Sequence, residues 1–392
     1  MPLNDYSIKE IIQIEACTNC MLCAEVCPAV SATQNGCLSG VHRLHELRRI
    51  LRARAGLFKG LFSSSINEDN LKRFSDTVYR CTLCGRCQEI CPSGISLKDI
   101  WLSLRQDLVH LNAFPDKVNM IRDNVLKSHN VFNEDNEERA EWVEDLDDPP
   151  EHGHIKDSAE IVYFTGCVSS YFPMAQQIPM SLVEIFEATG VDFTLLGEDE
   201  YCCGFPFLGA GLRDKVDELI DHNVEAVKRK NAKKVVFACP SCYRMWKEYY
   251  PQEFELYHVT QFIKENLLKN RLKLKTVNKV VTYHDPCDLG RGSREYDAPR
   301  EIINAIPGVR LVEMENNREN CTCCGGGGNL EMIDAKLSKE IAEAKIKQVL
   351  DTGAEAVITS CQQCVRTMKG YARLNKIKLE VLDIVELVRQ AL

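Results

Sequence analysis

At 392 residues and 45% hydrophobic content, the chain is long enough for two or three domains with ordinary cores. A net charge of −9 argues against generic nucleic-acid binding, and the longest apolar stretches (residues 161–164, 234–238 and 356–358) fall far short of the about 20 residues of a bilayer span. Twenty cysteines, behind an N-terminus with acids and no apolar run ahead of a cleavage site, argue for metal ligation over disulfides and for a cytoplasmic protein.

The first element is a cysteine run, Cys17-Thr-Asn-Cys20-Met-Leu-Cys23-Ala-Glu-Val-Cys27-Pro28, with the C-x2-C-x2-C-x3-C-P spacing of bacterial ferredoxins. It recurs as Cys81-Thr-Leu-Cys84-Gly-Arg-Cys87-Gln-Glu-Ile-Cys91-Pro92. Three thiolates two residues apart wrap one corner of a cubane cluster from a tight turn, while the fourth points away to the other cluster. The expected ligand sets are therefore Cys17, Cys20, Cys23 and Cys91 for one [4Fe–4S] cluster, and Cys81, Cys84, Cys87 and Cys27 for the second. Zinc is disfavoured, because zinc knuckles rarely carry four cysteines so closely packed. Cys37 lies outside both runs and is read as a non-ligand, since each cluster is complete without it.

Between the runs, residues 41–59 read as a helix, with Val41, Leu44, Leu47, Ile50 and Leu51 at helical spacing. Arg43, Arg48, Arg49, Arg52, Arg54 and Lys59 stand there against one acid, Glu46. That composition fits a solvated face, or a docking surface for an acidic partner or a membrane. Residues 135–151 carry nine acids against the single base Arg139 and read as an exposed linker, marking a domain boundary near 155.

The last two thirds repeat one unit. Cys167, the adjacent pair Cys202-Cys203, and Cys239-Pro-Ser-Cys242 are matched by Cys287, Cys323-Cys324, and Cys361-Gln-Gln-Cys364, at offsets of 120 to 122 residues. Each copy has a β-rich run ending at its first cysteine, a helix, the cysteine pair with a following glycine, a long helix (212–230; 332–352), and a strand delivering the CxxC. Alternating strands and helices imply a parallel sheet, with the ligands at the carboxyl ends of strands. Five thiolates per copy exceed the four that a cubane cluster or a structural zinc needs. The glycines 325–328 do not follow a strand in nucleotide-loop fashion and are read as backbone that must approach a bulky cofactor closely. Cys321 falls outside the register and is read as a bystander near the site.

The duplicated pattern C-x31–39-C-C-x35–36-C-x-x-C, with Tyr283-His-Asp-Pro-Cys287 and Cys239-x-x-Cys-Tyr-Arg244, resembles the CCG signature of the heterodisulfide reductase family. The chain is similar throughout to the family's fused form, the D-type, in which a ferredoxin-like portion is joined to a catalytic one. The same signature, often degenerate, occurs in iron–sulfur subunits of glycolate, lactate and glycerol-3-phosphate dehydrogenases and of flavin-containing bifurcating assemblies. The resemblance implies an α+α/β fold: a helical ferredoxin-like domain (1–112), an acidic helical linker (113–158), and two tandem pseudo-symmetric α/β CCG domains (159–275 and 276–392). It also implies that each complete motif holds a noncubane [4Fe–4S] cluster whose iron can bind substrate sulfur.

On that resemblance the expected function is reduction of a disulfide, or its reverse. Single electrons would pass through the two cubane clusters to two noncubane ones, each capturing one thiolate. His284 is read either as a proton donor to a leaving thiolate or as a structural histidine. No flavin or nicotinamide motif is present, so hydride chemistry is expected in a partner, either the family's A-type flavoprotein or a membrane cytochrome b. The latter would hold this cytoplasmic chain at the inner face of a membrane during anaerobic metabolism. The alternative is an electron relay linking a flavin-dependent dehydrogenase or bifurcating complex to quinone or ferredoxin, without disulfide chemistry.

Overall fold

A computed structural model describes residues 6–55, 68–151 and 153–392; Lys59 and the side chain of Arg54 lie outside what it describes. Cα packing divides the chain into two units. The first comprises the chain up to Arg122 with the segments Pro206–Asp214 and Thr322–Ala344. The second comprises Asp123–Phe205, Lys215–Cys321 and Lys345–Leu392.

In the first unit, the stretch between the cysteine runs forms the helix Gly40–Ala55, followed by helices Glu68–Tyr79 and Leu97–His110. Leu44, Leu47, Ile50, Val78, Ile100, Trp101 and Leu104 are buried, as the 3.6-residue period requires. The basic residues of Gly40–Ala55 do not form one solvated face. Arg43 is buried, its Nε donating to the Thr77 carbonyl at 3.0 Å, and Arg48 donates to the carbonyls of Ile14 (2.6 Å) and Cys17 (3.0 Å). Arg49 and Arg52 pair with Glu46 and Glu15. Backbone acceptors near the clusters take the charge that composition had assigned to water.

The second unit holds two four-stranded parallel sheets. β1 (Ile161–Phe164), β2 (Phe193–Leu195), β3 (Lys234–Phe237) and β4 (Glu255–His258) align in the order β2-β1-β3-β4. β5 (Lys279–His284), β6 (Val309–Leu311), β7 (Ala356–Thr359) and β8 (Glu380–Asp383) repeat that order as β6-β5-β7-β8. The central strands are continuous apolar runs because both faces are covered. In each sheet the chain reverses its direction of winding between the two central strands, which is where open α/β sheets place their sites.

The two modules pack reciprocally. Helix Gln177–Thr189, after β1, lies against Ile384–Arg389, after β8; helix Val259–Leu268, after β4, lies against Asp297–Ala305, after β5. The ion pairs Arg389–Glu184 and Lys264–Glu301, both at 2.8 Å, repeat the relation at the rim. One apolar core joins them through Leu182, Phe186, Ile263, Ile302 and Leu387. A duplicated chain has thus folded as a self-complementary pair, the intramolecular form of an isologous dimer.

Residues 137–145 are not an exposed linker. They form a 3-10 helix whose Arg139, Trp142 and Val143 are buried in the second unit. The acids occupy its outer turns, and the lone base and the two apolar side chains turn inward.

Candidate iron–sulfur sites

Both ferredoxin-type runs fold in one register. Asn19 and Met21 in the first, and Leu83 and Gly85 in the second, all have φ between +53° and +74°. Alternating left-handed residues turn successive backbone N–H groups inward, a concave nest of the type that receives iron–sulfur anions. Leu83 N–H, for example, points to Cys81 Sγ at 3.4 Å. The thiols gather in two sets. Burial pushes Cys23 up to about 11, and Cys17, Cys20 and Cys91 add their repulsion. Burial likewise raises Cys87, with Cys81, Cys84 and Cys27 as its foremost charged neighbours and Cys23 of the first set after them. Such crowding of buried thiols is relieved when a cationic iron core takes their protons' place.

Arg105 is the hub of this unit. Fully buried, it donates to the carbonyls of Gly209, Gly328 (2.9 Å), Val78 (3.1 Å) and Cys81 (2.8 Å). Two of the glycines after Cys324 bring backbone close to this cysteine run. A Cβ on Gly327 would stand 2.6 Å from the Thr82 carbonyl oxygen, and one on Gly328 would strike that of Cys81. Cys323, in the same unit, hydrogen-bonds both Cys324 and the ligand candidate Cys84.

In the second unit the first five-thiol motif is brought together whole. Cys167 follows β1 and Cys239 follows β3, at the carboxyl ends of the central strands. Cys239 caps the helix Pro240–Tyr249, whose first turn carries Cys242. The Cys202 amide is anchored on the His129 carbonyl at 2.7 Å. The sulfurs form an unbroken hydrogen-bonded chain: Cys167 to Cys202, Cys203, Cys242 and Cys239. Protons are shared unequally along it. Hydrogen bonds from Cys202 and Cys242 lower Cys203 to about 6, and Cys242 lowers Cys239. The hydrogen bond to Cys202 raises Cys167, and that to Cys203 raises Cys242. Gly166, at φ +80°, keeps the floor open: a Cβ there would lie 3.3 Å from Cys242 Sγ and 3.4 Å from Gln362 Oε1.

Behind Cys167 lies the buried pair Arg139–Glu200 at 2.8 Å. Glu200 accepts from the amides of Thr165 (2.7 Å) and Gly166 (2.8 Å), and Arg139 Nη2 reaches Cys167 Sγ at 3.9 Å. In the second module, Cys287 follows β5, and Cys361 and Cys364 open the helix Gln362–Leu374 after β7. Cys323 and Cys324 lie on the segment that packs in the first unit.

His284 and Cys321 meet in the second unit, Nδ1 to Sγ at 3.5 Å, with Lys345 Nζ 3.7 Å from the same sulfur. Burial works to raise Cys321, but Lys345 and His284 outweigh it and lower the thiol to about 6. Cys321, read as a bystander near the site, thus lies beside His284 and the buried Lys345, which favour its thiolate form. Sequence reasoning passed over Arg105, Glu200 and Lys345, and read Arg43 only as part of a solvated or docking face. The one advance signal was Arg139, the single base among nine acids.

Comparison with known proteins matches residues 13–95 to a 4Fe-4S dicluster domain and residues 161–247 and 281–369 to a cysteine-rich domain. The D-type subunit of the dihydromethanophenazine:CoB–CoM heterodisulfide reductase of Methanosarcina acetivorans is 36% identical, covering 98% of this chain and 95% of its own length. Its counterpart in Methanosarcina mazei is 35% identical over the same shares. An EtfAB:quinone oxidoreductase of Syntrophomonas wolfei is 25% identical, spanning 100% of this chain and 60% of its own length.

Proposed function

The chain belongs to the D-type subunit family of heterodisulfide reductases, iron–sulfur electron-transfer oxidoreductase subunits with cubane and noncubane [4Fe–4S] clusters, and on that premise we propose that its two five-thiol motifs carry the reduction of a disulfide. The proposed ligands are Cys17, Cys20, Cys23 and Cys91; Cys27, Cys81, Cys84 and Cys87; Cys167, Cys202, Cys203, Cys239 and Cys242; and Cys287, Cys323, Cys324, Cys361 and Cys364. The observation that carries this reading is the unbroken chain of five sulfurs at the carboxyl ends of β1 and β3. When bound, the noncubane clusters supply single electrons and an iron that accepts a substrate sulfur.

The protein's own residues then have assignable parts. Arg139 directs an N–H at Cys167 Sγ, and Gly166 leaves that sulfur layer uncovered. His284 is the proposed proton donor to a leaving thiolate, with Cys321 and Lys345 fixing its ring. Electrons come from a redox partner, either a membrane cytochrome b or the family's A-type flavoprotein. Among the described residues no helix is long and apolar enough to cross a membrane, so membrane attachment would come through that partner. The family resemblance supports the parts 1–112, 113–158, 159–275 and 276–392 as functional divisions. Similarity to an EtfAB:quinone oxidoreductase favours a second reading, an electron relay without disulfide chemistry.

The test is metal load followed by thiol addition. Anaerobic analysis should give about 16 Fe and about 16 acid-labile sulfides per chain, four clusters of four irons. Oxidised protein given a small alkyl thiol enriched in sulfur-33 should develop a paramagnetic signal broadened by that nucleus. About 8 Fe after full reconstitution would remove the noncubane sites, and full iron with no thiol-dependent signal would leave only the relay.

A further inference from the structure

Among the described residues, two buried guanidinium groups in the first unit have no carboxylate partner. Arg43 is 2% exposed and Arg105 fully buried, and among the described residues neither makes an ion pair. Arg43 spends its Nε on the Thr77 carbonyl, its guanidinium lies 5.9 Å from the Trp101 ring, and its buried Nη2 has no partner. Arg105 is bonded only to carbonyls, and its buried Nε has none. A buried cation without an ionic partner is costly and persists where an anion answers it. Both guanidinium groups donate into one stretch of backbone that leads into the second ferredoxin-type run: Arg43 to the Thr77 carbonyl, and Arg105 to those of Val78 and Cys81.

The first set is differently placed. Its Cys20 is exposed, and Arg48, which donates to the Cys17 carbonyl, is only partly buried. Charges that water reaches act through a high dielectric, and buried ones do not.

We propose that Arg43 and Arg105 are the built-in counter-charges of the second cubane cluster, the one held by Cys27, Cys81, Cys84 and Cys87, and that they make its site the favoured resting place of an electron entering the chain. The proposal rests on the ligand sets given above. A cubane core with four thiolates is a dianion that becomes a trianion on reduction, so two weakly screened cations stabilise the reduced form more than the oxidised one. One electron is taken from the exposed set, which is oxidised, by the buried set, which is reduced; no bond breaks and no proton moves. An external one-electron donor restores the first. The direction matters because Cys84 of the favoured set is hydrogen-bonded to Cys323 of the second CCG motif. The arginines thereby bias electrons toward the CCG motifs and away from solvent.

The test is a mediated redox titration of the fully loaded chain by electron paramagnetic resonance, the second-cluster signal being the one lost in Cys87→Ala. Arg43→Gln should weaken reduction of that cluster at least about tenfold, a fall of about 59 mV for a one-electron couple, and leave the first cluster where it was. Arg43→Lys should retain most of the wild-type potential. A second-cluster potential unmoved in Arg43→Gln, an equal shift of both clusters, or an equal fall in Arg43→Lys overturns the proposal. If Arg43→Gln does not load fully, Arg43→His carries the test: a second-cluster potential at or above wild type at every pH overturns it, and one below wild type at high pH supports it. Unshifted potentials with full iron would refute the counter-charge role alone; missing cubane iron in the wild type would refute the ligand reading beneath it.

Discussion

Glu200 and Cys321 occupy the same slot, each two residues ahead of its module's adjacent cysteine pair, and each faces a buried cation. In the first module a carboxylate answers Arg139; in the second, a thiolate answers Lys345. Such a pair is costly to bury and more costly to break, because the survivor is left charged and alone. Cys321, lowered to about 6 from an ordinary 9.0, contributes stability fully above the unfolded value, and that contribution is lost as pH falls through about 6. Lys345→Met removes the largest of the lowering influences and leaves burial, which raises the thiol. In a Cys37→Ser background, which removes the other non-ligand thiol, the variant should therefore gain an infrared S–H stretching band near neutral pH that the Lys345 form lacks, and that disappears again on adding Cys321→Ser. A band already present in the Cys37→Ser protein with Lys345 intact would contradict the thiolate. Periodic spacing could not reveal this role, since Cys321 departs from the motif and its partner lies 24 residues away on another element.

At the scale of elements, the strands and long helices were legible because their signals are local. β1, β3, β5 and β7 are apolar runs closed by a cysteine, and helix Gln177–Thr189 ends at Gly190, in the left-handed conformation at φ +64°. The segment Glu137–Asp145 was not legible, because its charge count describes its outside. Three inward side chains decide its fate, and burying Trp142 and Val143 outweighs the pull of five acids that remain in water anyway. Trp142→Ala should accordingly lower the stability of the loaded protein by about 3–5 kcal/mol, read as a shift in denaturant midpoint. A surface tether would move by a few tenths. At glycines 325–328 the sequence says that backbone comes close, and the fold adds that the Cys81 and Thr82 carbonyls are among what it meets.

At the scale of the whole chain, the duplication was plain from cysteine spacing alone, and what spacing could not supply was how the copies would face each other. Reciprocal packing of the helices after β1 and β8, and after β4 and β5, relates the modules as two halves of one pair. Gln362 adds a direct tie, its Nε2 donating to the Thr165 carbonyl at 2.8 Å, two residues from Cys167. Reducing a disulfide takes two electrons and yields two thiolates, while each cluster passes one electron. A pair of sites acting as one unit accounts for both copies keeping all five cysteines, whereas a relay would work with one. Groups that act together lose nearly everything when either is removed. Cys203→Ala and Cys324→Ala, each breaking one adjacent pair, should each lower disulfide turnover about 100-fold or more rather than halve it, with both cubane signals intact. Turnover near half the wild-type rate in either variant would mean that the two copies work independently. Undiminished electron transfer from donor to a non-disulfide acceptor, with no disulfide turnover even in the wild type, would assign the chain to the relay class.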